Sequence, residues 1–219
     1  MTNEADERWL RQEIIDTALA MLGEGLSPGT SGNVSARLDA GFLITPTGME
    51  YTDLIPEDIV FIDGKGVMAD DARKPSSEWR FHLGAYAARE SANAIVHTHS
   101  RFATALACAR KPIPAFHYMV AVAGGNDIPL ADYATFGTVE LADAVASALN
   151  DRKACLMANH GQIACGENLG AALNLAREVE VLAAQYAAAL QIDEPHILDD
   201  EEMNRVLKRF ESYGQQEKG

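Results

Sequence analysis

His97 and His99 stand two residues apart in the run Ala94-Ile95-Val96-His97-Thr98-His99. If that run is a strand, the period of two puts both imidazoles on one face, about 7 Å apart along the chain. At that spacing both rings can turn toward one metal ion, although two polar residues on a solvated strand face would show the same pattern. A third imidazole comes from Asn159-His160-Gly161, expected at the turn between two strands, where the glycine lets the backbone bend and the side chain reach a shared cavity. Three imidazoles leave a coordination position open, which is the arrangement of catalytic zinc rather than of the closed, cysteine-rich structural sites. His82, His117 and His196 have no comparable spacing and are read as structural.

Glu78 follows Lys74-Pro75-Ser76-Ser77 at an expected helix start. The helix dipole favours a carboxylate there whatever its role. Ser76 and Ser77 at the same start offer hydroxyls and backbone N–H groups, the means by which a neutral site binds phosphate. Gly29-Thr30-Ser31-Gly32-Asn33 and Thr45-Pro46-Thr47-Gly48 are two further turns rich in glycine and hydroxyls, each beside a strand. Each alone is ordinary turn chemistry. Together the three suit a phosphate cradle in a chain of 18 Lys and Arg against 32 Asp and Glu, net charge −14, whose sequence shows no dense basic pocket.

The elements that must carry these residues read as follows. Residues 3–22 form a helix with apolar positions at Leu10, Ile14, Ala18 and Met21. Residues 33–37, 41–45 and 58–63 are short strands joined by tight turns. Then come a helix over 77–90, a strand over 94–98, a helix over 103–109 ending before Pro112, and a helix over 139–149. Strands over 154–158 and 162–165 flank His160, a long Ala-rich helix runs over 169–190, and the acidic run 199–202 opens a last helix to Phe210.

With 219 residues and no repeat, linker or composition shift, one domain over 1–219 is expected, of α/β or α+β class, with helices on both faces of a central sheet. The early strands cluster rather than alternate with helices, which argues against a (β/α)₈ barrel. The negative field disfavours nucleic acid and anionic lipid as partners. The N-terminus is acidic without an apolar signal core, and no apolar run reaches the roughly 18 residues of a membrane span, so the cytoplasm is the expected compartment. Cys108, Cys155 and Cys165 form no CxxC pair and read as reduced, buried fillers.

The ordered segments GTSGNVSAR, ITPTGMEY, KPSSEWRFH, the HTH strand, FHYMVAVAGG, YATFGT and NHG are similar to those of the class II aldolase/epimerase family, over nearly the whole chain from about Ile14 to Tyr213. The resemblance implies a mixed, mostly antiparallel sheet sandwiched by helices, in a homotetramer with active sites between subunits. It implies one zinc per subunit, held by His97, His99 and His160, with Glu78 both approaching the metal and serving as acid/base. It further implies phosphate binding by Thr30, Asn33, Thr47, Gly48, Ser76 and Ser77, an aldehyde end lined by Phe136 and Tyr213, and a proton on the aldehyde oxygen handled by Tyr118 from across a subunit boundary. Periodicity alone would make Tyr118 a core aromatic.

The reaction so implied is retro-aldol cleavage of a ketose 1-phosphate to dihydroxyacetone phosphate and an aldehyde, by a cytoplasmic lyase. A Schiff-base aldolase would need a desolvated lysine, whereas Lys65, Lys74, Lys111, Lys153, Lys208 and Lys218 lie in turns, beside prolines or in charged segments. Pentulose-phosphate 4-epimerases of the same family usually carry aspartate at the position of Glu78. Dehydratases, decarboxylases and aldolases of 5-deoxypentulose 1-phosphates share the three histidines and stay open. A cupin would expect a glutamate shortly after His99, where SRFATALACA has none. A scaffold protein would be free to lose the metal and acid residues, and all are present.

Overall fold

The computed structural model describes residues 3–210. Seven strands, β1 (Asn33–Leu38), β2 (Gly41–Ile44), β3 (Val60–Asp63), β4 (Ala94–Thr98), β5 (Leu130–Ala131), β6 (Ala154–Met157) and β7 (Gly161–Gly166), form one sheet in the order β3-β2-β1-β4-β7-β6-β5. Every neighbouring pair is antiparallel except β5 with β6. The helices are α1 (Glu4–Gly23), α2 (Trp79–Ala88), α3 (Arg101–Cys108), α4 (Val139–Leu149), α5 (Leu169–Ile192) and α6 (Asp200–Phe210), with 3₁₀ turns at Tyr51–Asp53, Pro56–Asp58 and Tyr118–Ala123.

Strand alternation sorts the apolar side chains into two cores. Val34, Ala36, Ala94, Val96, Leu156 and Ala164 face α1, α3, α5 and α6. Phe42, Ile44, Ile62, Ile95, Met157 and Ile163 face α2 and α4, against Phe81, Ala85, Leu141 and Val145. The sheet is therefore a buried layer between helices, as α/β packing requires. None of the helices among the described residues is long and apolar enough to cross a membrane.

Helix ends are set by side chains. Asn3, Thr138 and Asn168 cap α1, α4 and α5 by accepting from backbone N–H groups three residues on. Both oxygens of Glu180, on α5, accept the N–H groups of Phe102 and Ala103, which holds the start of α3 just after the His97–His99 segment. α2 is shorter than its pattern, because Glu78 takes the N-cap position and Arg89 ends it with extended ψ. β3 is shortened in the same way, since Pro56 opens a 3₁₀ turn before it. The two-residue β5 falls below any readable alternation.

One expectation is corrected. Cys155 and Cys165 are buried, but Cys108 is exposed, because it closes α3 on the face turned away from Ala103, Leu106 and Ala107, the buried residues of that helix.

The turn before β1 is pinned from below. Tyr51 is 2% exposed, and its hydroxyl donates to the Gly32 carbonyl. At Gly32 a Cβ would meet the His97 carbonyl at 2.7 Å and Ser27 Oγ at 2.5 Å, so the close approach of this turn to β4 requires glycine. Tyr51→Phe removes the donor and leaves a buried carbonyl without this partner. The expected cost is about 1 kcal/mol, read as a fall of roughly 2–4 °C in thermal midpoint, with the fold retained by circular dichroism.

Candidate active site

β4 carries His97 on the α2 face and ends at Thr98, so His99 turns inward just beyond the strand. His160 comes from the loop between β6 and β7, where Met157 pairs with Gly161. The bend there is taken by Asn159, at φ 53°, and not by the glycine. Gly161 is required for another reason: a Cβ would sit 2.3 Å from the Thr98 carbonyl and 3.0 Å from His99 Cδ2. The bare backbone lets the His160 loop pass against the His99 segment.

The three imidazole centroids form an equal-sided triangle, 4.9 Å on each side, with ring planes 77–81° apart. Glu78, at the N-cap of α2, reaches into it. Its Oε1 lies 2.8 Å from His160 Nε2 and its Oε2 lies 3.2 Å from His97 Nε2. The ligand atoms of Glu78, His97, His99 and His160 all fall within 4.8 Å of one another.

This donor set fits a divalent cation. His97 is fully buried and donates its Nδ1–H to the Gln162 carbonyl at 2.8 Å, which turns the Nε2 lone pair inward. His99 Nε2 stands 3.0 Å from that atom. Three nitrogen donors and one carboxylate are the ligand types of a zinc-like ion.

Protonation agrees. With no ion present the Nε2 atoms of His97 and His160 can instead carry protons: burial alone would raise the Glu78 carboxyl, but a positive His97 and hydrogen bonds from His160 and His97 outweigh it and hold the group well below the usual carboxylate range. It is ionised at neutral pH. His99 is pushed down to about 3 by burial and by the neighbouring His97 and His160, so it is a neutral ligand.

A cavity of about 330 Å³ opens over this cluster. Its walls include Thr30, Ser31, Asn33, Thr47, Ser76 and Ser77 on one side and Tyr133, Ala134 and Phe136 on another, with Glu78, His99 and His160 between. Among the described residues no lysine or arginine is in these walls, so an anion here would be met by hydroxyls, amides and α2's N-terminal end.

The structure thus brings together His97, His99, His160, Glu78, Thr30, Asn33, Thr47, Ser76, Ser77 and Phe136. Gly48 lies outside the walls, at φ 69°. Tyr118 is 45% exposed on the 3₁₀ turn over α5 and α6 and takes no part in its own chain's cavity. Tyr213 lies outside the described residues. His117 is structural as expected, capping that 3₁₀ turn through Nδ1.

Sequence reasoning missed Tyr133, which has no motif of its own, and it did not find the partners of His82. That histidine is fully buried and bonds Asn33 Oδ1 through Nε2 at 2.5 Å. Asn33 Nδ2 in turn donates to Glu78 Oε2 at 2.9 Å. A readable signal existed in the spacing Glu78, His82, Tyr86, one helix face, against Asn33, Ser35, Arg37, one strand face.

Residues 12–187 match the family described as "Class II Aldolase and Adducin N-terminal domain". The chain belongs to that family. It is 56% identical to the 5-methylthioribulose-1-phosphate/5-deoxyribulose-1-phosphate aldolase of Rhodospirillum rubrum, covering 94% of this chain and 92% of that one. It is 54% identical to the L-fuculose phosphate aldolase of Escherichia coli K12, covering 94% and 95%. A solved L-fuculose 1-phosphate aldolase superposes with a TM-score of 0.89 at 41% identity, over 96% of this chain and 98% of that one. The expected fold is therefore found, and the protein is a lyase of the class II aldolase type whose His₃Glu group suits a divalent metal.

Two outcomes are expected. Gly161→Ala forces His99 and the His160 loop apart, so the purified variant keeps its circular dichroism spectrum but loses most bound metal by elemental analysis. His82, pushed down to about 3 by burial, stays neutral when folded, whereas an unfolded histidine titrates near 6.5. Between those values the unfolded chain binds the extra proton, so stability is complete above pH 6.5 and declines as the pH falls toward 3. Denaturant midpoints of metal-free protein from pH 7 to 5 should fall, and less steeply in His82→Gln.

Proposed function

We propose that this chain is a cytoplasmic, zinc-dependent aldolase that cleaves a deoxyketose 1-phosphate between C3 and C4, giving dihydroxyacetone phosphate and a short aldehyde. The observation that carries this reading is one cavity with three imidazoles and Glu78 at its base and a wall of neutral phosphate donors beside them. Thr30, Asn33, Thr47, Ser76 and Ser77 hold the phosphate, with Gly48 shaping the turn that carries Thr47. That anchors C1 and delivers C2 and C3 to the histidine cluster.

His97, His99 and His160 would hold a divalent ion, which when bound would supply the positive charge that carbon–carbon cleavage calls for at the C2 and C3 oxygens. Glu78 moves the proton at C3: ionised, it removes that proton from dihydroxyacetone phosphate in the condensing direction and returns it in cleavage. The C4 hydroxyl proton passes, as the aldehyde leaves, to Tyr118 of a neighbouring subunit acting as the phenolate, and the phenol so formed returns it to the aldehyde oxygen in the condensing direction. The exposure of Tyr118, away from its own cavity, supports a site shared between subunits of a homotetramer. Phe136, with Tyr133, lines the aldehyde end.

L-fuculose 1-phosphate, giving L-lactaldehyde, is the first substrate to test. The 56% relative favours a second, a 5-deoxypentulose 1-phosphate. The two share the dihydroxyacetone phosphate half and differ in the aldehyde. Release of dihydroxyacetone phosphate, coupled to NADH oxidation, should occur with at least one of them. It should vanish after chelation, return with zinc, and fall by about 10²–10⁴ in Glu78→Gln. Failure of zinc-loaded protein to release it from either substrate would overturn the assignment and direct attention to pentulose-phosphate epimerisation.

A further inference from the structure

We propose that His82 is a positioning residue for this chemistry, fixing the Asn33 carboxamide so that its NH₂ group faces Glu78 and the cavity. The inference rests on the proposed aldolase reading for its kinetic arm only.

β1 and α2 face each other along a polar seam. Two residues of strand advance about 6.7 Å and four residues of helix about 6 Å, so Asn33, Ser35 and Arg37 come level with Glu78, His82 and Tyr86. The bonds follow that match. Asn33 Nδ2 donates to Glu78 Oε2 at 2.9 Å, His82 Nε2 meets Asn33 Oδ1 at 2.5 Å, and Ser35 Oγ lies 2.7 Å from His82 Nδ1 and 2.8 Å from the Tyr86 hydroxyl. Arg37 ends the seam, its guanidinium 4.6 Å from the Tyr86 ring centroid and bonded to the Tyr86 carbonyl at 2.8 Å.

Donors and acceptors allow one assignment. An ionised carboxylate only accepts, so Asn33 must turn Nδ2 to Glu78 and Oδ1 to His82. Oδ1 only accepts, so His82 carries its proton on Nε2. Nδ1 is then a lone pair that accepts from Ser35, and Ser35 accepts from Tyr86. Each of these side chains is buried, which makes an unmade bond costly and the orientation firm. The seam aligns groups and does not conduct a proton, because the amide N and O of Asn33 are separate atoms. Without the His82 donor, Asn33 Oδ1 is left buried without that partner and the amide is held only by its bond to Glu78, so it can swing away from the carboxylate.

The side chains suggest the variants. His82→Gln places an amide N–H at about the reach of Nε2, whereas His82→Asn reaches only the Ser35 end. On zinc-loaded protein, His82→Asn should lower kcat roughly 10–100-fold, the usual cost of losing a residue that orients a metal-site group, with metal content unchanged. His82→Gln should recover most of that loss. In an Asn33→Ala background His82→Asn should cause no further loss, since its effect runs through Asn33. NMR of protein carrying ¹⁵N-labelled asparagine side chains should show the Asn33 NH₂ pair protected from solvent exchange in wild type and His82→Gln and exposed in His82→Asn. If His82→Asn does not fold, ¹⁵N NMR of histidine-labelled wild-type protein carries the test: the proposal requires the His82 proton on Nε2, and a proton on Nδ1 would overturn it.

An unchanged kcat in His82→Asn, an equal loss in the Asn33→Ala background, or an unaltered Asn33 NH₂ pair would overturn the proposal. If wild-type protein cleaves neither ketose phosphate, the aldolase reading fails, and the NMR arm still decides the positioning role.

Discussion

Strand β4 lies between β1 and β7 with Asn33 opposite His97 and Gln162 opposite Thr98, and the site depends on that register. A slip of one residue would turn His97 out of the α2 face and move His99 with it. The same pairing sets the Gln162 carbonyl against His97 Nδ1 and the backbone of Gly161 against the Thr98 carbonyl. Backbone hydrogen bonding, not the histidines themselves, brings three imidazoles to equal spacing.

Charge is handled locally. A chain of net charge −14 repels anions at long range, yet its cavity walls present hydroxyls, amides and a helix N-terminal end on one side and imidazoles at the base. Within a buried pocket such dipoles act at short distance and are weakly screened. Among the described residues Glu78 is the one acidic side chain in those walls, and it is matched by His97, His160 and Asn33. A second carboxylate there would oppose a phosphorylated substrate without a partner to offset it.

Much of this was legible in the residues. The His97–His99 spacing, the His160 turn, the hydroxyl-rich turns and the two-sided burial of the strands follow from periods of 2 and 3.6 and from turn chemistry. What escaped were features set by contact between elements far apart in sequence. The bend at the β6–β7 loop was attributed to Gly161, because glycine is the usual residue there, while Asn159 takes the positive φ and Gly161 provides clearance. His82 reads as an ordinary core histidine until β1 is laid beside α2. Cys108 looked buried because its neighbours are alanines, but position on a helix face, not local composition, decides exposure. Tyr118 shows only that it serves no group in its own chain's cavity.

The central claim is that His97, His99 and His160 form a single metal centre at the base of a phosphate-binding cavity. X-ray absorption at the metal edge of zinc-loaded protein addresses it most directly, because imidazole rings give a scattering pattern that scales with their number. The account predicts one zinc per chain with three imidazole nitrogens in its shell, falling to two in His99→Ala. A shell of oxygens, or an imidazole count that His99→Ala leaves unchanged, would contradict it.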